Sequence, residues 1–242
     1  MSSVRHQIYQ FRSEIRRSKG IGRKAVPPFS VWKYFFRWIK DQQPERNSVR
    51  DEMVWLTYPV IDFLRNYLKS SMKVFEYGGG GSTLFFAKYV SELITVEHDK
   101  EWFERLTEIL NRKKIKHWTG KHISPEPSGF SGSPADPELY LSSDTHSENL
   151  SFQKYAAAID QYPDGYFDLV LVDGRARPSC LFHSLSKVKK GGLLILDNAE
   201  REHYHEKMDA LIAKDYTLIL DGMAPVPFGE WFSSTCVWRK NA

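Results

Sequence analysis

The stretch that most constrains how this chain can fold is KVFEYGGGGSTLFFAKYVSELITVEHD, residues 73–99. Lys73–Tyr77 carries the apolar and aromatic residues of a buried strand, and four glycines, Gly78 to Gly81, follow at once. Ser82 and Thr83 are residue types that cap a helix start. Leu84, Phe85, Ala87, Tyr89 and Val90 then give a largely apolar helix surface, as expected of a helix lying on a sheet. A second strand over 93–96 delivers Glu97 at its carboxyl end, 19 positions after Gly78. Glycines let the backbone approach a ligand closely, and an acid about 20 residues further on is placed to hold a ribose diol. The unit predicts a nucleoside-binding crevice.

The details of the turn narrow the ligand. The dinucleotide fingerprint G-x-G-x-x-G/A fits poorly, because Thr83 or Leu84 falls at its third small position. The residues present read E-x-G-x-G-x-S, with Glu76 two positions before the first glycine. A carboxylate there repels a pyrophosphate at short range and attracts an ammonium or sulfonium group. The stretch resembles motif I of the class I S-adenosylmethionine-dependent methyltransferases. That resemblance implies an acid near the methionyl end of the cofactor, glycines beneath it and the second-strand acid on the ribose hydroxyls. Carried over by position, these are Glu76, Gly78, Gly80 and Glu97, with Ser82 and Asp173 completing the expected cofactor set.

The rest of the chain fits this frame. Its 242 residues suit one α/β domain with an N-terminal extension, and 41% hydrophobic with 14% aromatic residues argue for a folded globule. Cys180 and Cys236 form no CxxC and no metal-ligand cluster, so a reducing compartment is expected. There is no apolar run of membrane-spanning length, and MSSVRHQIYQFRSEIRRSK lacks a signal-peptide core. A cytoplasmic protein is the expectation. Residues 1–50 hold 12 Lys/Arg against 3 Asp/Glu, while the remainder is net acidic. This basic arm, with the interleaved VWKYFFRWIK at 31–40, either packs its aromatics on the domain or meets an anionic surface.

Along the chain, residues 1–25 read as polar and loosely ordered, with a break at Pro27-Pro28. Helices are expected over 30–41 and 51–70, with Pro59 starting or kinking the second. Trp55, Thr57 and Tyr58 are candidates to close over a ligand. A helix over 99–113 and a strand over 121–124 follow, then a Pro/Ser/Gly-rich segment, 125–149, that is long for a simple connection and suits a substrate loop. A helix over 151–161, a buried strand over 166–172, a helix over 179–189 ending at Gly191-Gly192, and a strand over 193–196 come next. A helix over 202–213 and strands over 216–221 and 234–239 close the pattern. Such alternation predicts a doubly wound, mostly parallel sheet covered on both faces. The resemblance, which spans roughly residues 70–240, implies seven strands ending in an antiparallel hairpin. The expected division is a basic helical extension over 1–70, serving as a lid, and a cofactor-binding domain over 71–242.

Three strands end on acids, Glu97, Asp173 and Asp197, which should project into one crevice. The candidate catalytic residues are Asp173, Asp197 and Arg175, with Arg175 and Arg177 suited to an anionic acceptor and His98, His203 and His205 as further candidate bases. Asp173 with Asp197-Asn198 resembles the metal triad of catechol- and caffeoyl-CoA-type O-methyltransferases, which implies Mg²⁺ on Asp173, Asp197 and Asn198. The function expected is S-adenosylmethionine-dependent O-methylation of a small-molecule or glycan acceptor, possessing an anionic group if the arginines bind it. A non-catalytic nucleoside-binding module and a nicotinamide-dependent oxidoreductase are the other readings of the crevice. The D/N-P-P-Y/F pattern of amino-methylating nucleic-acid enzymes is absent, since the fourth strand runs into VDGRAR.

Overall fold

The computed structural model describes residues 4–19, 21, 31–129 and 131–242. Its strands are β1 (Lys73–Tyr77), β2 (Glu92–Glu97), β3 (Trp118–His122), β4 (Glu126–Pro127), β5 (Leu150–Ser151), β6 (Phe167–Val172), β7 (Val188–Asp197), β8 (Tyr216–Leu220), β9 (Met223–Pro225) and β10 (Phe232–Lys240). Its helices are α1 (Val4–Ser18), α2 (Phe35–Asp41), α3 (Tyr58–Tyr67), α4 (Gly81–Phe86), α5 (Lys100–Arg112), α6 (Gln153–Ala156), α7 (Arg177–Ser184) and α8 (Met208–Asp215). The main sheet runs β3-β2-β1-β6-β7-β10-β8, parallel except for β10, which is antiparallel to both neighbours; β9 adds a short pairing to β10. This is the mostly parallel α/β sheet that the sequence pattern predicts, with the antiparallel C-terminal hairpin that the resemblance implies.

Strand patterning explains the layers. β6 reads FDLVLV and is buried along its whole length, as a central strand covered on both faces must be. In β1, Val74 faces one core with Leu169, Leu171, Leu193 and Ile195, while Phe75 and Tyr77 face the other with Val170, Val172, Leu194 and Leu196. The first core also receives Phe11 of α1, Trp38 of α2 and Ile61 and Leu64 of α3; the second receives Tyr155, Cys180, Leu181 and Met208 from α6, α7 and α8. Strand order reverses between β1 and β6, and a ligand crevice opens at such a point.

Several expectations needed correction. The loosely ordered N-terminus contains a 15-residue helix, α1, because Phe11 seats its ring 5.0–5.2 Å from Trp32, Phe35, Trp38 and Phe232. The break expected at Pro27-Pro28 lies outside the described residues. The helix expected over 30–41 begins as a 3-10 turn, Val31–Tyr34, and only α3 forms within 51–70, with Pro59 in its first turn, where a missing N–H costs nothing. Gly191-Gly192 is not a helix C-cap. It lies inside β7, where Gly191 takes φ +78 and the register against β6 shifts. The helix expected over 202–213 divides into a 3-10 turn, Glu202–Tyr204, and α8. Within 125–149, β4 pairs with β5 and a 3-10 turn spans Thr145–Ser147.

Candidate functional site

The glycine turn is shaped by what surrounds each position. Gly78 leaves β1 at φ +86, and a Cβ on it would lie 2.9 Å from the Asp173 carbonyl oxygen, so only glycine permits β1 and β6 to end this close together. Gly80 differs: a Cβ there would meet only the Trp102 ring, at 3.7 Å. No protein contact demands a glycine at Gly80, and the open space above it belongs to a cleft.

That cleft holds about 360 Å³ and is walled by Gly78–Gly81, Ser82, Glu97, His98 and Trp102 on one side and by Asp173, Gly174 and Arg175 on the other, with Trp55 and Ser48 at its rim. Glu97 is buried and accepts backbone N–H groups from Gly79 (3.0 Å), His98 (2.7 Å) and Asp99 (2.9 Å). Burial alone would raise its pKa, but the neighbouring His98 side chain and the N–H donors outweigh that and hold it below the usual carboxylate range. It is an anchored anion. Arg175 donates to His98 Nε2 (3.3 Å), which leaves the ring proton on Nδ1, 2.7 Å from Glu97 Oε1. Trp102 is pinned by its indole N–H to the Gly79 carbonyl (2.8 Å), presenting a fixed flat wall.

Glu76 is not among the residues lining the cleft. It lies fully buried beneath the glycine turn, accepting from Thr95 Oγ1 (2.7 Å), with its second oxygen lacking a hydrogen-bond partner. Burial pushes its pKa up to about 7. An influence of Glu76 on a ligand would therefore pass through the turn rather than through direct contact.

A second cleft of about 380 Å³ adjoins the first and shares Trp55 and Asp173 with it. Its other walls are Asp197, Asn198, Glu200, Arg201, Val226, Trp231 and Ser233. Trp55 packs 6.2 Å from Trp231 and 6.1 Å edge-on from Phe228, and both tryptophans are about half exposed. Of the three residues expected to close over a ligand, Trp55 alone lines the clefts. Thr57 is buried against Thr235, and Tyr58 is core, donating its hydroxyl to Asp41 (2.8 Å).

The three strand-end acids do not share one crevice: Glu97 lines the first cleft, Asp197 the second and Asp173 both, and a guanidinium ties the ends of β6 and β7. Arg177 donates to Asp173 Oδ1 (3.0 Å), to the Gly174 carbonyl (3.0 Å) and to the Asp197 carbonyl, tying the ends of β6 and β7 together. Burial, and for Asp197 the nearby Asp173 charge, pushes Asp197 up to about 8 and Asp173 above its ordinary value, despite Arg177. Asp197 therefore keeps its proton near neutrality, while Asp173 is paired with Arg177. Arg177 also lines the first cleft, but it is buried there and spends its donors on the strand ends. Arg175 instead reaches the long loop, pairing with Asp144 (3.0 Å).

This arrangement does not fit the expected Mg²⁺ site. Asp173 is engaged by a cation already, Asp197 Oδ1 accepts from Thr235 Oγ1 (2.8 Å), and the Asn198 amide donates to Ser233 (3.0 Å). Among the described residues no group of three or more His, Cys, Asp or Glu is placed to hold a metal ion. A permanently charged guanidinium where a divalent ion would sit repels it. Neither candidate histidine after β7 lines a cleft: His205 bridges the Ala199 carbonyl (2.8 Å) and Asp209 (3.0 Å), and the His203 ring packs 4.3 Å from Tyr204. Trp102, Ser48 and Trp231 line the clefts but carry no motif signal. Trp231 precedes the last strand, and an aromatic just outside a β-hairpin was the available hint.

Comparison with protein-family models and with curated protein sequences finds no match. Solved structures do match. A Streptococcus mutans protein described as a methyltransferase, crystallised with S-adenosylhomocysteine, superposes at TM-score 0.52 and 12% identity, over 78% of this chain and 99% of that one. A Corynebacterium glutamicum protein reaches 0.54 at 7% identity, covering 88% and 98%. A Clostridium thermocellum protein designated an rRNA methylase reaches 0.50 at 13% identity, covering 75% and 93%. With its strand order, its glycine turn and these likenesses, the chain has the fold of the class I S-adenosylmethionine-dependent methyltransferases.

Proposed function

We propose that the protein is an S-adenosylmethionine-dependent methyltransferase acting on an oxygen of a small-molecule or sugar-containing acceptor. The observation that carries this reading is the pair of adjoining clefts that share Asp173 and Trp55: one over the open glycine Gly80 and the anchored anion Glu97, the other walled by Trp231, Arg201 and Asp197. The residues of the first cleft fit the cofactor. Glu97 stays ionised to accept from a ribose diol, Gly80 admits close approach, Trp102 offers a flat face, and Ser82 and Asp173 complete the walls. When bound, S-adenosylmethionine supplies an electrophilic methyl group on a sulfonium.

The chain's own contribution is alignment and proton removal. Asp173 stands on the wall between the clefts, beside where an acceptor hydroxyl must enter, and the Asp173–Asp197 pair is the group able to take its proton. Arg201, exposed on the second cleft with its Nη1 on the Tyr204 hydroxyl, suits an anionic substituent on the acceptor. The polar wall of that cleft, with two indole faces, favours a hydroxylated ring over a wholly apolar one.

Calorimetric titration with S-adenosylhomocysteine and, in parallel, NADH tests the cofactor. Micromolar binding of S-adenosylhomocysteine alone is expected; no binding of it sinks the reading and leaves the non-catalytic or oxidoreductase alternatives. Turnover should rise with pH through the carboxyl pair, near 8 rather than 4, and Asp197→Asn should remove that limb. An unchanged profile would show that the pair is not the base.

A further inference from the structure

Large exposed hydrophobic side chains fall in two main places on this molecule. Trp55 and Trp231 belong to the clefts. Val4, Tyr9, Trp32 and Phe36 belong to the N-terminal helices, with Phe36 81% and Tyr9 65% exposed. On α1, Arg5, Tyr9, Arg12 and Arg16 are spaced i, i+4, i+7 and i+11, so they form one stripe along the helix, and all four are exposed. The inward stripe, Ile8, Phe11 and Ile15, packs on the core. The Arg12 guanidinium lies 6.0 Å from the centre of the Trp32 ring, and Trp32 and Phe36 are one turn apart, so the arginine stripe and the aromatics form a continuous face.

The acids nearby are engaged elsewhere. Glu14 is paired with Arg17 and accepts the Phe232 N–H (2.8 Å), and Asp41 is buried between Arg46 and Tyr58. Among the described residues no carboxylate lies within ion-pair distance of Arg5, Arg12 or Arg16. A helix whose inner face is already satisfied has no packing reason to present three arginines interleaved with tyrosine, beside an 81% exposed phenylalanine.

We propose that this face is a docking surface for an anionic phospholipid membrane. Arginines at a negatively charged headgroup layer gain favourable Coulomb energy, and Trp, Tyr and Phe partition into the headgroup boundary, where one edge stays wet and the other meets acyl chains. A nucleic acid would satisfy the arginines too. It gives no destination for Phe36, whereas the lipid boundary does. The opposite flank of α1 is tied to the Trp231 cleft: Gln10 donates to Glu230 (3.0 Å) and Glu14 accepts the Phe232 N–H (2.8 Å), the residues on either side of Trp231. Docking of α1 therefore holds the Trp231 cleft near the bilayer, a position suited to an acceptor carried on the membrane.

Flotation of the full-length protein with phosphatidylcholine vesicles, with or without about one third phosphatidylglycerol, tests this. Binding is expected only to the anionic vesicles and should weaken as salt rises. Each arginine should be worth about fivefold at low salt, so Arg12→Glu with Arg16→Glu should abolish recovery in the floating fraction. Phe36→Ser, a change at an exposed side chain, should weaken binding while leaving its salt dependence alone. Thermal melting and S-adenosylhomocysteine binding of all variants should stay as in the parent, which separates surface effects from misfolding. No binding to anionic vesicles overturns the proposal. So does equal binding by the charge-reversed variant, or retention of poly(U) RNA in place of vesicles with the same sensitivity to the arginines.

Discussion

At the scale of single residues, the two glycines of the turn separate folding from binding. Gly80→Ala places a methyl at an ordinary 3.7 Å from Trp102, so the melting temperature should barely move while S-adenosylhomocysteine affinity falls by at least about tenfold. Gly78→Ala forces a left-handed backbone and a 2.9 Å contact with the Asp173 carbonyl, so it should destabilise the fold by about 1–3 kcal/mol. Parallel thermal and binding measurements check both, and equal behaviour of the two variants would remove the distinction. Glu76 adds a pH signature. Its folded pKa, about 7, lies above the ordinary 4.5, so the folded state holds a proton that the unfolded chain releases between those values. Stability from this group is complete below about pH 4.5 and is lost as pH rises to about 7, by at most about 3 kcal/mol. Denaturant melts across that window should slope downward, and Glu76→Gln should flatten the slope. A parallel slope in the variant would show that Glu76 is ionised throughout.

At the scale of elements, the turn after β6 divides its two arginines between different tasks. Ala176 takes a left-handed conformation (φ +44) and starts α7, which turns Arg177 back beneath the strand ends and leaves Arg175 facing the 125–149 segment. The Arg175–Asp144 pair ties that segment to the turn after β6, whose Gly174 and Arg175 line the first cleft. Arg175→Ala should therefore quicken proteolytic cutting within 125–149 and raise the acceptor KM, with S-adenosylhomocysteine affinity changed less than about tenfold. A fall in kcat with KM and proteolysis unchanged would return Arg175 to a direct part in the chemistry. The strand-turn-helix unit at 73–99 was legible in advance because its periodicity and turn chemistry are local. The division of labour between Arg175 and Arg177 was not, since two residues of one type, two positions apart, are separated only by a left-handed alanine.

At the scale of the whole molecule, the N-terminal segment is continuous with the domain core. Phe11 is fully buried in an aromatic cluster with residues from α2 and β10, and Arg17 and Glu14 engage both backbone polar groups of Phe232. Phe11→Ala should cost about 3–5 kcal/mol, read as a lowered melting temperature. If α1 were a detachable arm, that substitution would leave the melt unchanged. The same packing fixes α1 beside the Trp231 cleft.

Local patterning determined, from the sequence by itself, the alternating elements, the buried central strands, the glycine turn and the acids at the strand ends, because each depends on residues close in the chain. Tertiary structure decided the rest. Glu76 reads as a ligand contact but is sealed beneath the turn by the alternation of β1, which directs its side chain to the α4 face. Asp173, Asp197 and Asn198 read as metal ligands, but Arg177 folds back onto the Asp173 carboxylate, and Thr235 and Ser233 take Asp197 and Asn198. Trp102 and Trp231 acquire their roles only when α5 and the approach to β10 bring them over the crevice. Charge compensation, burial and aromatic walls arise between segments far apart in the chain, and no spacing within one segment records them.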